Sequence, residues 1–350
     1  MINIIASNVT GLGASQLVLS LLPKLEQFGA TRIGIIWLPD RGLLARFSTT
    51  SHTRVEIYHR ILPNFLSRFI ESNLIADRIY GPSDSLVLGD IPLKKQGRQI
   101  VFIQNTFLMP GTPDQSVTNY IRNKLLRANF RKNLKYADQI IVQTEVMADN
   151  LVRHYPQLRD RITIVRQPPP AWVMAELCAG EDFQSFSGKL KLFYPSAGYA
   201  HKNHILLQHA LKSGECQDIV DEIVVTLSPE EYQNLSSPLR TVGRLNDEGM
   251  IKAYRQADAL LFPSLTESYG LPLVEAMFLG LPIVCADLPY ARTLCGDEAI
   301  YFDPRSTESL REALRVLHDR LSDGWQVDWS DALKLFPKDW DEVAAAMLRV

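Results

Sequence analysis

The sequence contains few cysteines and no long apolar run. Four cysteines occur among 350 residues, at positions 178, 216, 285 and 295, and none forms a C-x-x-C pair. This spacing argues against a disulfide framework or a thiolate zinc site and fits a reducing compartment. No window approaches the roughly 20 apolar residues that cross a bilayer, and residues 1–6 lack the basic start of a signal peptide. We therefore expect a cytoplasmic protein, soluble or peripheral on the cytoplasmic face of the membrane.

A strong excess of either charge is also absent, since the net charge is −2. The two halves nevertheless differ. Residues 1–170 hold 21 Lys and Arg against 12 Asp and Glu, a net charge of +9, whereas residues 171–350 hold 16 against 27, a net charge of −11. The basic half would attract an anionic partner such as a phosphate or an anionic membrane surface. Nucleic acid is not expected as a partner, because no recognition motif accompanies the charge.

Short apolar runs alternate with amphipathic stretches in two series, which is typical of parallel α/β architecture. The first series predicts strands at 2–6, 33–37, 85–88, 100–104, 139–143 and 162–166. The second series predicts strands at 190–194, 222–227, 239–242, 259–262 and 282–286. Helices are predicted at 14–28, 116–136, 203–212, 247–256, 272–279 and 307–320. The fold class is therefore α/β, with two Rossmann-like doubly wound domains.

Three consecutive prolines at 168–170 break the first series. The predicted organisation is an N-terminal domain at 1–170, a linker at 171–188, a second domain at 189–332 and a C-terminal helical segment at 333–350.

The most informative segment runs from residue 262 to residue 277. After an apolar strand, a loop carries Glu267, Gly270 makes a turn, and Pro272 begins a helix that carries Glu275. Proline is tolerated there because its missing N–H would be unpaired anyway, and the free amides of a helix start bind anions. Carboxylates accept hydrogen bonds from vicinal hydroxyls, so the segment suits a sugar linked to phosphate. The alternative is that Glu267 caps a helix and Glu275 lies on a solvated face.

This segment closely resembles the signature of family-4 retaining glycosyltransferases, the glycosyl transferases group 1, in which two glutamates are separated by seven residues. The resemblance implies the GT-B fold, with two Rossmann-like domains facing each other across a cleft and a C-terminal helix crossing back to the N-terminal domain. It implies that the first domain binds the acceptor and the second binds a nucleotide-sugar donor. The implied reaction moves the sugar to a saccharide or lipid-linked acceptor hydroxyl with retention of configuration, in polysaccharide or glycolipid assembly.

The resemblance also implies roles for individual residues. Glu267 lies beside the donor sugar as a catalytic residue, and Glu275 grips the ribose hydroxyls. Lys202, at a helix start after strand 190–194, neutralises the diphosphate as a point charge. Many family members have an arginine where Ala197 stands, so neutralisation rests on Lys202 and loop amides. The further donor contacts are Gly11, Gly13, Ser196, Ser268, Tyr269, Gly270 and Leu271.

Gln104 and Asn105 follow the strand at 100–104 and are candidate catalytic residues. Family members often have a histidine where Gln104 stands. Glutamine and asparagine can orient hydroxyls but cannot act as general bases, and the resemblance implies that the departing phosphate takes the acceptor proton. The alternative is a polar strand terminus.

Gly11 and Gly13 join the first strand to the first helix, where backbone can approach an anion closely. One interpretation is a Rossmann dinucleotide site, which Asp40 after the second strand supports. However, Gln16 stands where the third glycine of G-x-G-x-x-G belongs. The motif of the second domain favours the other interpretation, a glycine loop facing the transferring phosphate.

No acidic residue occurs between Ser116 and Ala137. In this stretch Lys124, Arg127, Arg131 and Lys135 follow helical spacing and share a face. Such a face could contact the acceptor or an anionic membrane, and the alternative is a solvated face.

A metal or other cofactor is not expected, apart from the nucleotide-sugar substrate. The only Asp-x-Asp, Asp339 to Asp341, lies in the C-terminal helix, where a helix-start role is favoured. His201 and His204 lack a further ligand cluster, and a surface or helix-start role is expected.

Two other functions stay open: an epimerase or hydrolase of nucleotide sugars on the same fold, and a non-catalytic sugar-binding protein, which Gln104 favours.

Overall fold

The structure, a computed structural model, describes residues 1–29, 32–49, 52–60, 62, 64–110, 117–177, 186–212, 216–228 and 238–350. The chain divides into two compact units. The first unit comprises Met1–Pro170 together with Pro337–Val350, and the second comprises Ala171–Phe336. Ser116, Cys178 and positions 178–185 of the predicted linker lie outside the described residues.

The first unit contains a seven-stranded parallel sheet with the order β3-β2-β1-β4-β5-β6-β7. Its elements are β1 (Ile2–Ile5), α1 (Leu12–Gly29), β2 (Ile33–Pro39), β3 (Arg54–Tyr58), α2 (Asn64–Ile70), a π-helical turn (Glu71–Ile75), α3 (Ala76–Tyr80), β4 (Asp84–Val87), β5 (Gln99–Phe102), α4 (Val117–Asn133), β6 (Gln139–Val142), α5 (Glu145–His154) and β7 (Ile162–Ile164). The strand order reverses between β1 and β4, as in doubly wound sheets.

The second unit contains a six-stranded parallel sheet with the order β10-β9-β8-β11-β12-β13. Its elements are α6 (Ala171–Leu177), β8 (Leu190–Tyr194), α7 (His204–Lys212), β9 (Val220–Val225), β10 (Leu239–Thr241), α8 (Asp247–Arg255), β11 (Ala259–Phe262), α9 (Leu271–Phe278), β12 (Ile283–Ala286), α10 (Pro289–Cys295), β13 (Ile300–Phe302), α11 (Thr307–Ser322) and α12 (Ser330–Leu333). Here the order reverses between β8 and β11.

The strands next to each reversal are buried at almost every residue. Every residue of β11 and β12 is buried, because a parallel sheet in such folds has helices on both faces. Their sequences are therefore continuous apolar runs rather than alternating ones. In the core of the second unit the rings of Phe193 and Tyr254 meet edge to face at 4.9 Å. Continuous apolar runs explain why these strands could be predicted from the sequence.

The chain ends in α13 (Trp340–Arg349), which belongs to the first unit and packs on α1. The Asp339 carboxylate accepts a hydrogen bond from the Glu342 backbone N–H at 2.9 Å and caps this helix. Asp341 pairs with Lys24 of α1 at 2.8 Å. The Asp-x-Asp pair thus has the predicted helix-start role.

Some boundaries differ from the predictions. The helix predicted at 116–136 is α-helical only to Asn133, and Leu134–Tyr136, which includes Lys135, is a 3-10 turn. The segment predicted as a linker begins with α6, and α12 lies within the second unit. None of the helices in the described ranges is long and apolar enough to cross a membrane.

Candidate active site

The reversal of strand order in the second unit marks where a ligand should bind. In parallel α/β sheets, ligands occupy the crevice outside the carboxyl ends of the strands where the order reverses. β8 and β11 are neighbours at this point. The loop after β8 leads to Lys202, and the loop after β11 contains Glu267. Both residues are therefore at the expected place.

The loop after β8 is held by hydrogen bonds around Lys202. The buried Tyr194 donates its hydroxyl to the Lys202 carbonyl at 2.7 Å. Asn203 adopts a left-handed conformation with φ of 58°, and its Nδ2 donates to the Pro304 carbonyl at 3.0 Å. These contacts fix the 3-10 turn Ala200–Lys202, so the backbone that carries the lysine is well anchored.

Ser196 lies in the same loop. Its backbone exchanges two hydrogen bonds with the Thr226 hydroxyl, at 2.9 and 3.0 Å. The Ser196 hydroxyl lies 3.1 Å from a ring nitrogen of His204, the buried first residue of α7. The helix-start role of His204 is confirmed, but its side chain is not on the surface. Ser196 thus has internal partners in addition to its predicted donor role.

The loop after β11 is bonded to the loop after β8. The His201 carbonyl accepts from the Leu265 N–H at 2.7 Å and from the Ser264 hydroxyl at 3.2 Å. Tyr290 donates to the Ser264 carbonyl at 2.6 Å. Hydrogen bonds thus join the two loops to each other.

Lys202 and Glu267 form an ion pair between the two loops. The Lys202 Nζ and Glu267 Oε1 atoms lie 2.5 Å apart, and each side chain is 14% exposed. The Lys202 Nζ also lies 5.6 Å from the centre of the Phe262 ring. Because the pair reaches the surface, an incoming anion can contact Lys202, while Glu267 becomes available to hydroxyl groups. The suggestion that Glu267 caps a helix is wrong, since α9 begins after Gly270 without a side-chain cap.

Gly270 forms the start of α9. Its φ of 89° lies in the left-handed region, and an added Cβ would approach a Leu273 methyl to 3.1 Å. The first amides of a helix have no acceptor within the helix, so Gly270, Leu271 and the preceding Ser268 can offer N–H groups to an anion. The side chain of Tyr269 is 2% exposed and packs in the core, which leaves only its backbone for a donor contact.

Glu275 lies one turn into α9 and, among the described residues, is not hydrogen-bonded to the Lys202–Glu267 ion pair. Its side chain is buried, and its Oε2 accepts from the Tyr254 hydroxyl of α8 at 2.6 Å. Burial raises the pKa of Glu275 from 4.5 to about 7, against the lowering effect of the Tyr254 hydrogen bond. The expectation of a solvated face is therefore wrong. Tyr254 was not singled out from the sequence, although a buried tyrosine hydroxyl usually has a polar partner.

In the first unit, Gly11 and Gly13 lie at the start of α1. Both are exposed, and a Cβ at Gly11 would meet no atom within 4 Å. Packing therefore does not explain the glycine at position 11, which leaves space for another group to approach.

Gln104 and Asn105 lie just beyond β5 rather than on it. The Gln104 N–H donates to the Asp90 carboxylate at 2.7 Å. Its Oε1 is buried and has no hydrogen-bond partner within the described part of the chain. The Asn105 Oδ1 accepts from the Phe107 N–H at 2.9 Å and caps a 3-10 turn. Asn105 therefore has a local structural role, whereas Gln104 retains an acceptor without a partner.

The basic residues of α4 are mostly exposed. Lys124, Arg131 and Lys135 are exposed, and Arg127 is half-buried. Lys135 is in the 3-10 turn after the helix, with its ammonium 5.1 Å from the centre of the Tyr136 ring. The same helix exposes three large apolar side chains that were not singled out from the sequence, namely Tyr120, Ile121 and Leu125.

Comparison with known proteins shows that part of the chain is similar to a known family. Residues 199–320 match the family model described as glycosyl transferases group 1. We call residues 199–320 the group 1 segment, because this part of the chain is similar to that family. This segment contains Lys202, Glu267 and Glu275, and the predicted resemblance to group 1 enzymes is confirmed.

Curated relatives show the same likeness. A phosphatidyl-myo-inositol mannosyltransferase of Mycobacterium leprae is 32% identical over 174 residues, which cover 47% of this chain and 46% of that protein. A D-inositol 3-phosphate glycosyltransferase of Nocardia farcinica is 25% identical over 284 residues, which cover 74% of this chain and 56% of that protein. The matches thus span about half the length of these relatives.

Solved structures confirm the fold. The crystal structure of Anabaena HepE in complex with UDP-glucose aligns with a TM-score of 0.66 and 13% identity, over 99% of this chain and 98% of that one. At this identity the likeness concerns the fold alone. The fold prediction of two Rossmann-like units of the GT-B type is confirmed.

Proposed function

We propose that this protein is a retaining glycosyltransferase that moves a sugar from a nucleotide-diphosphate sugar to an acceptor hydroxyl, in polysaccharide or glycolipid assembly. The observation that carries the proposal is the Lys202–Glu267 ion pair, which lies at the strand reversal of the group 1 segment. The curated relatives support it, because both are named as enzymes that transfer a sugar.

In the proposed mechanism the second unit binds the donor. The diphosphate takes the place of Glu267 beside Lys202 and accepts hydrogen bonds from the amides of residues 268–271, where the helix dipole also favours negative charge. Glu267, released from the lysine, accepts hydrogen bonds from the sugar hydroxyls. Glu275 binds the ribose hydroxyls as an ionised carboxylate.

The first unit contributes the acceptor side. Gly11 and Gly13 allow backbone to approach the transferring phosphate, and the unpartnered Gln104 Oε1 accepts a hydrogen bond from a substrate hydroxyl. Because no imidazole stands there, the departing phosphate takes the acceptor proton. Catalysis then depends on orientation and on stabilisation of charge, without a metal or other cofactor.

The donor is tested by isothermal titration of the purified chain with UDP, GDP, ADP and dTDP. We expect one of them to bind, and Glu275→Ala to weaken that binding about tenfold or more, since a hydrogen bond to a charged group contributes about 1.5–3 kcal/mol. Glu312→Ala removes an exposed glutamate of α11 and should leave the affinity unchanged. If none of the four nucleotides binds, the proposal of a nucleotide site is wrong.

The reaction is tested with the corresponding sugar nucleotide and an acceptor mixture. We expect transfer only when an acceptor is present, and NMR of the product should show the anomeric configuration of the donor. Inversion would overturn the retaining mechanism. Rapid conversion of the donor without acceptor would instead indicate an epimerase or hydrolase, and binding without any turnover would indicate a sugar-binding protein.

We further propose that α4 contacts the cytoplasmic face of an anionic membrane, where a lipid-linked acceptor would lie. Ile121 and Leu125 are 51% and 48% exposed and one helical turn apart, next to the exposed Lys124. Basic residues beside exposed apolar ones are the pattern of helices that lie at membrane surfaces.

Vesicle co-sedimentation tests this contact. Binding to vesicles that contain phosphatidylglycerol, and weaker binding to pure phosphatidylcholine, is the expected result. The double variant Ile121→Ser with Leu125→Ser should bind less, whereas Leu335→Ser, which changes an exposed leucine of the second unit, should not. Equal binding of both variants would show that α4 is a solvated face.

A further inference from the structure

The carboxyl edge of the first sheet carries a group of buried and half-buried charged side chains that have no part in the proposed mechanism. The strand order reverses there between β1 and β4, so the loops after these strands flank the expected ligand position. Asp90 belongs to the loop after β4, and Arg60, Arg68 and Glu71 contact these loops from other parts of the chain. All four have partners within the loops or in the helix beside them.

Glu71 is completely buried, and its carboxylate accepts three hydrogen bonds. The donors are the Ser7 hydroxyl, the Asn8 side-chain amide and the Tyr80 hydroxyl. Ser7 and Asn8 belong to the loop after β1 and lie 64 and 63 positions from Glu71 in the sequence. A buried carboxylate requires such donors, because its desolvation would otherwise be costly. Glu71 therefore holds the loop that leads to Gly11.

The side chain of Arg60 binds the backbone of the same loop. Its Nη2 donates to the Ser7 carbonyl, and its side chain is largely buried. Burial lowers the pKa of Arg60, and the negative charge of Glu71 acts in the opposite direction. The loop after β1 is thus bound through both its side chains and its main chain.

A second set holds the loop after β4. Arg68 lies 3.4 Å from the Asp90 carboxylate and donates to the Gly89 carbonyl. Asp90 has a φ of 66°, which is uncommon for a residue other than glycine. Its other oxygen accepts from the Gln104 N–H at 2.7 Å. Asp90 therefore joins the loop after β4 to the end of β5.

One irregular helix supplies Arg68, Glu71 and Tyr80. α2, the π-helical turn Glu71–Ile75 and α3 follow each other from residue 64 to residue 80 without interruption. π-helical turns are rare and occur frequently at functional sites. Here the turn begins at Glu71, the residue that binds the glycine loop.

We propose that Glu71 and Asp90 are positioning residues: Glu71 fixes the loop at residues 7–13, and Asp90 fixes Gln104, in the arrangement that glycosyl transfer requires. The effect on turnover rests on the proposed function, whereas the effect on the loops does not. Glu71 is completely buried with its donors, so it acts through the loop, and Asp90 acts through the backbone N–H of Gln104.

The test compares Glu71→Gln and Glu71→Ala with a control in the same turn. Glu71→Gln keeps the size of the side chain and one acceptor oxygen, so it should fold even if Glu71→Ala does not. The control is Asn73→Ala, because Asn73 is also buried but donates to Asn129 of α4 at 2.7 Å. It should destabilise the turn without releasing the loop after β1.

Two measurements are made on each variant. In Glu71→Ala, kcat should fall about 100-fold, because a group misplaced by about 1 Å can cost that factor. Nucleotide affinity, which depends mainly on the second unit, should change much less than kcat. Glu71→Gln should recover part of the loss, and Asn73→Ala should keep the wild-type kcat. Hydrogen exchange of the peptide covering residues 7–15 should accelerate in both Glu71 variants and not in Asn73→Ala.

The outcomes separate the two proposals. A wild-type protein that transfers no sugar would overturn the proposed function and the turnover part, while hydrogen exchange would still test the loop. Unchanged exchange in the Glu71 variants would overturn the positioning role. An equal loss of kcat in Glu71→Gln and Asn73→Ala, at equal loss of stability, would reduce Glu71 to a general structural residue.

Discussion

Both units place charged side chains at the loops that follow the reversal of strand order, but the two sets differ in their partners. In the first unit Glu71 is completely buried, and two of its three donors belong to the loop after β1. In the second unit Lys202 and Glu267 bind each other directly, and each keeps 14% of its side chain exposed.

The difference indicates two uses of charge in one architecture. A buried carboxylate that binds loop donors cannot exchange them for a ligand without loss of the loop. A partly exposed ion pair can open toward a ligand at modest cost, since pairs in contact with solvent contribute little to stability. Mutation of Glu71 should therefore change the order of the loop and the stability of the fold, and mutation of Lys202 or Glu267 should change ligand chemistry.

The largest effect that would sharpen this contrast is expected for Lys202→Ala. Loss of the point charge beside the diphosphate should lower kcat by about 100- to 1000-fold, while the free energy of unfolding in urea should fall less than in Glu71→Ala, because the Lys202–Glu267 pair reaches solvent and Glu71 does not. Lys334→Ala, which removes an exposed lysine paired with Asp331, serves as the control for both measurements. A loss of stability as large as that of Glu71→Ala would erase the contrast.

Glu275 is a buried acid of the second unit. Its titration should make the free energy of unfolding depend on pH. Its pKa is about 7 when folded and near 4.5 when unfolded, so the native state holds an extra proton between these values. The free energy of unfolding should therefore fall by about 3 kcal/mol as the pH rises from about 4 to above 7. Glu275→Gln mimics the protonated acid and still accepts from Tyr254, so this part of the pH dependence should disappear. Urea unfolding at several pH values measures it, and identical slopes in both proteins would contradict the assignment.

The smallest effects compare the two glycines at the helix starts. Gly270→Ala should lower the free energy of unfolding by about 1–2 kcal/mol, because φ is positive there. Gly11→Ala should change it by less than about 0.5 kcal/mol, since a Cβ would meet no neighbour, yet it should reduce transfer by occupying the space of the phosphate. Thermal unfolding and transfer assays measure the two quantities. Full activity in Gly11→Ala would separate this glycine from the site.

Much of the fold could be predicted because its signals are local. Buried parallel strands are continuous apolar runs, such as residues 259–262, and they were identified to within a residue or two. The edge strand β3 was missed, because Arg54 and Glu56 interrupt the apolar pattern on a strand that is only partly buried. The π-helical turn at Glu71 was missed as well, since a single turn of i→i+5 hydrogen bonds leaves no distinct period in the apolar pattern.

The candidate site divides in the same way. The spacing of Glu267, Gly270 and Glu275, the glycine and proline at the start of α9, and the cap at Asp339 are encoded within a few residues, because helix starts depend on neighbouring backbone. Only the tertiary structure decided that Lys202 pairs with Glu267, that Glu275 binds Tyr254, and that Glu71 holds the loop 63 positions before it. These contacts join residues distant in the sequence, and they depend on strand order and burial, which no local pattern specifies.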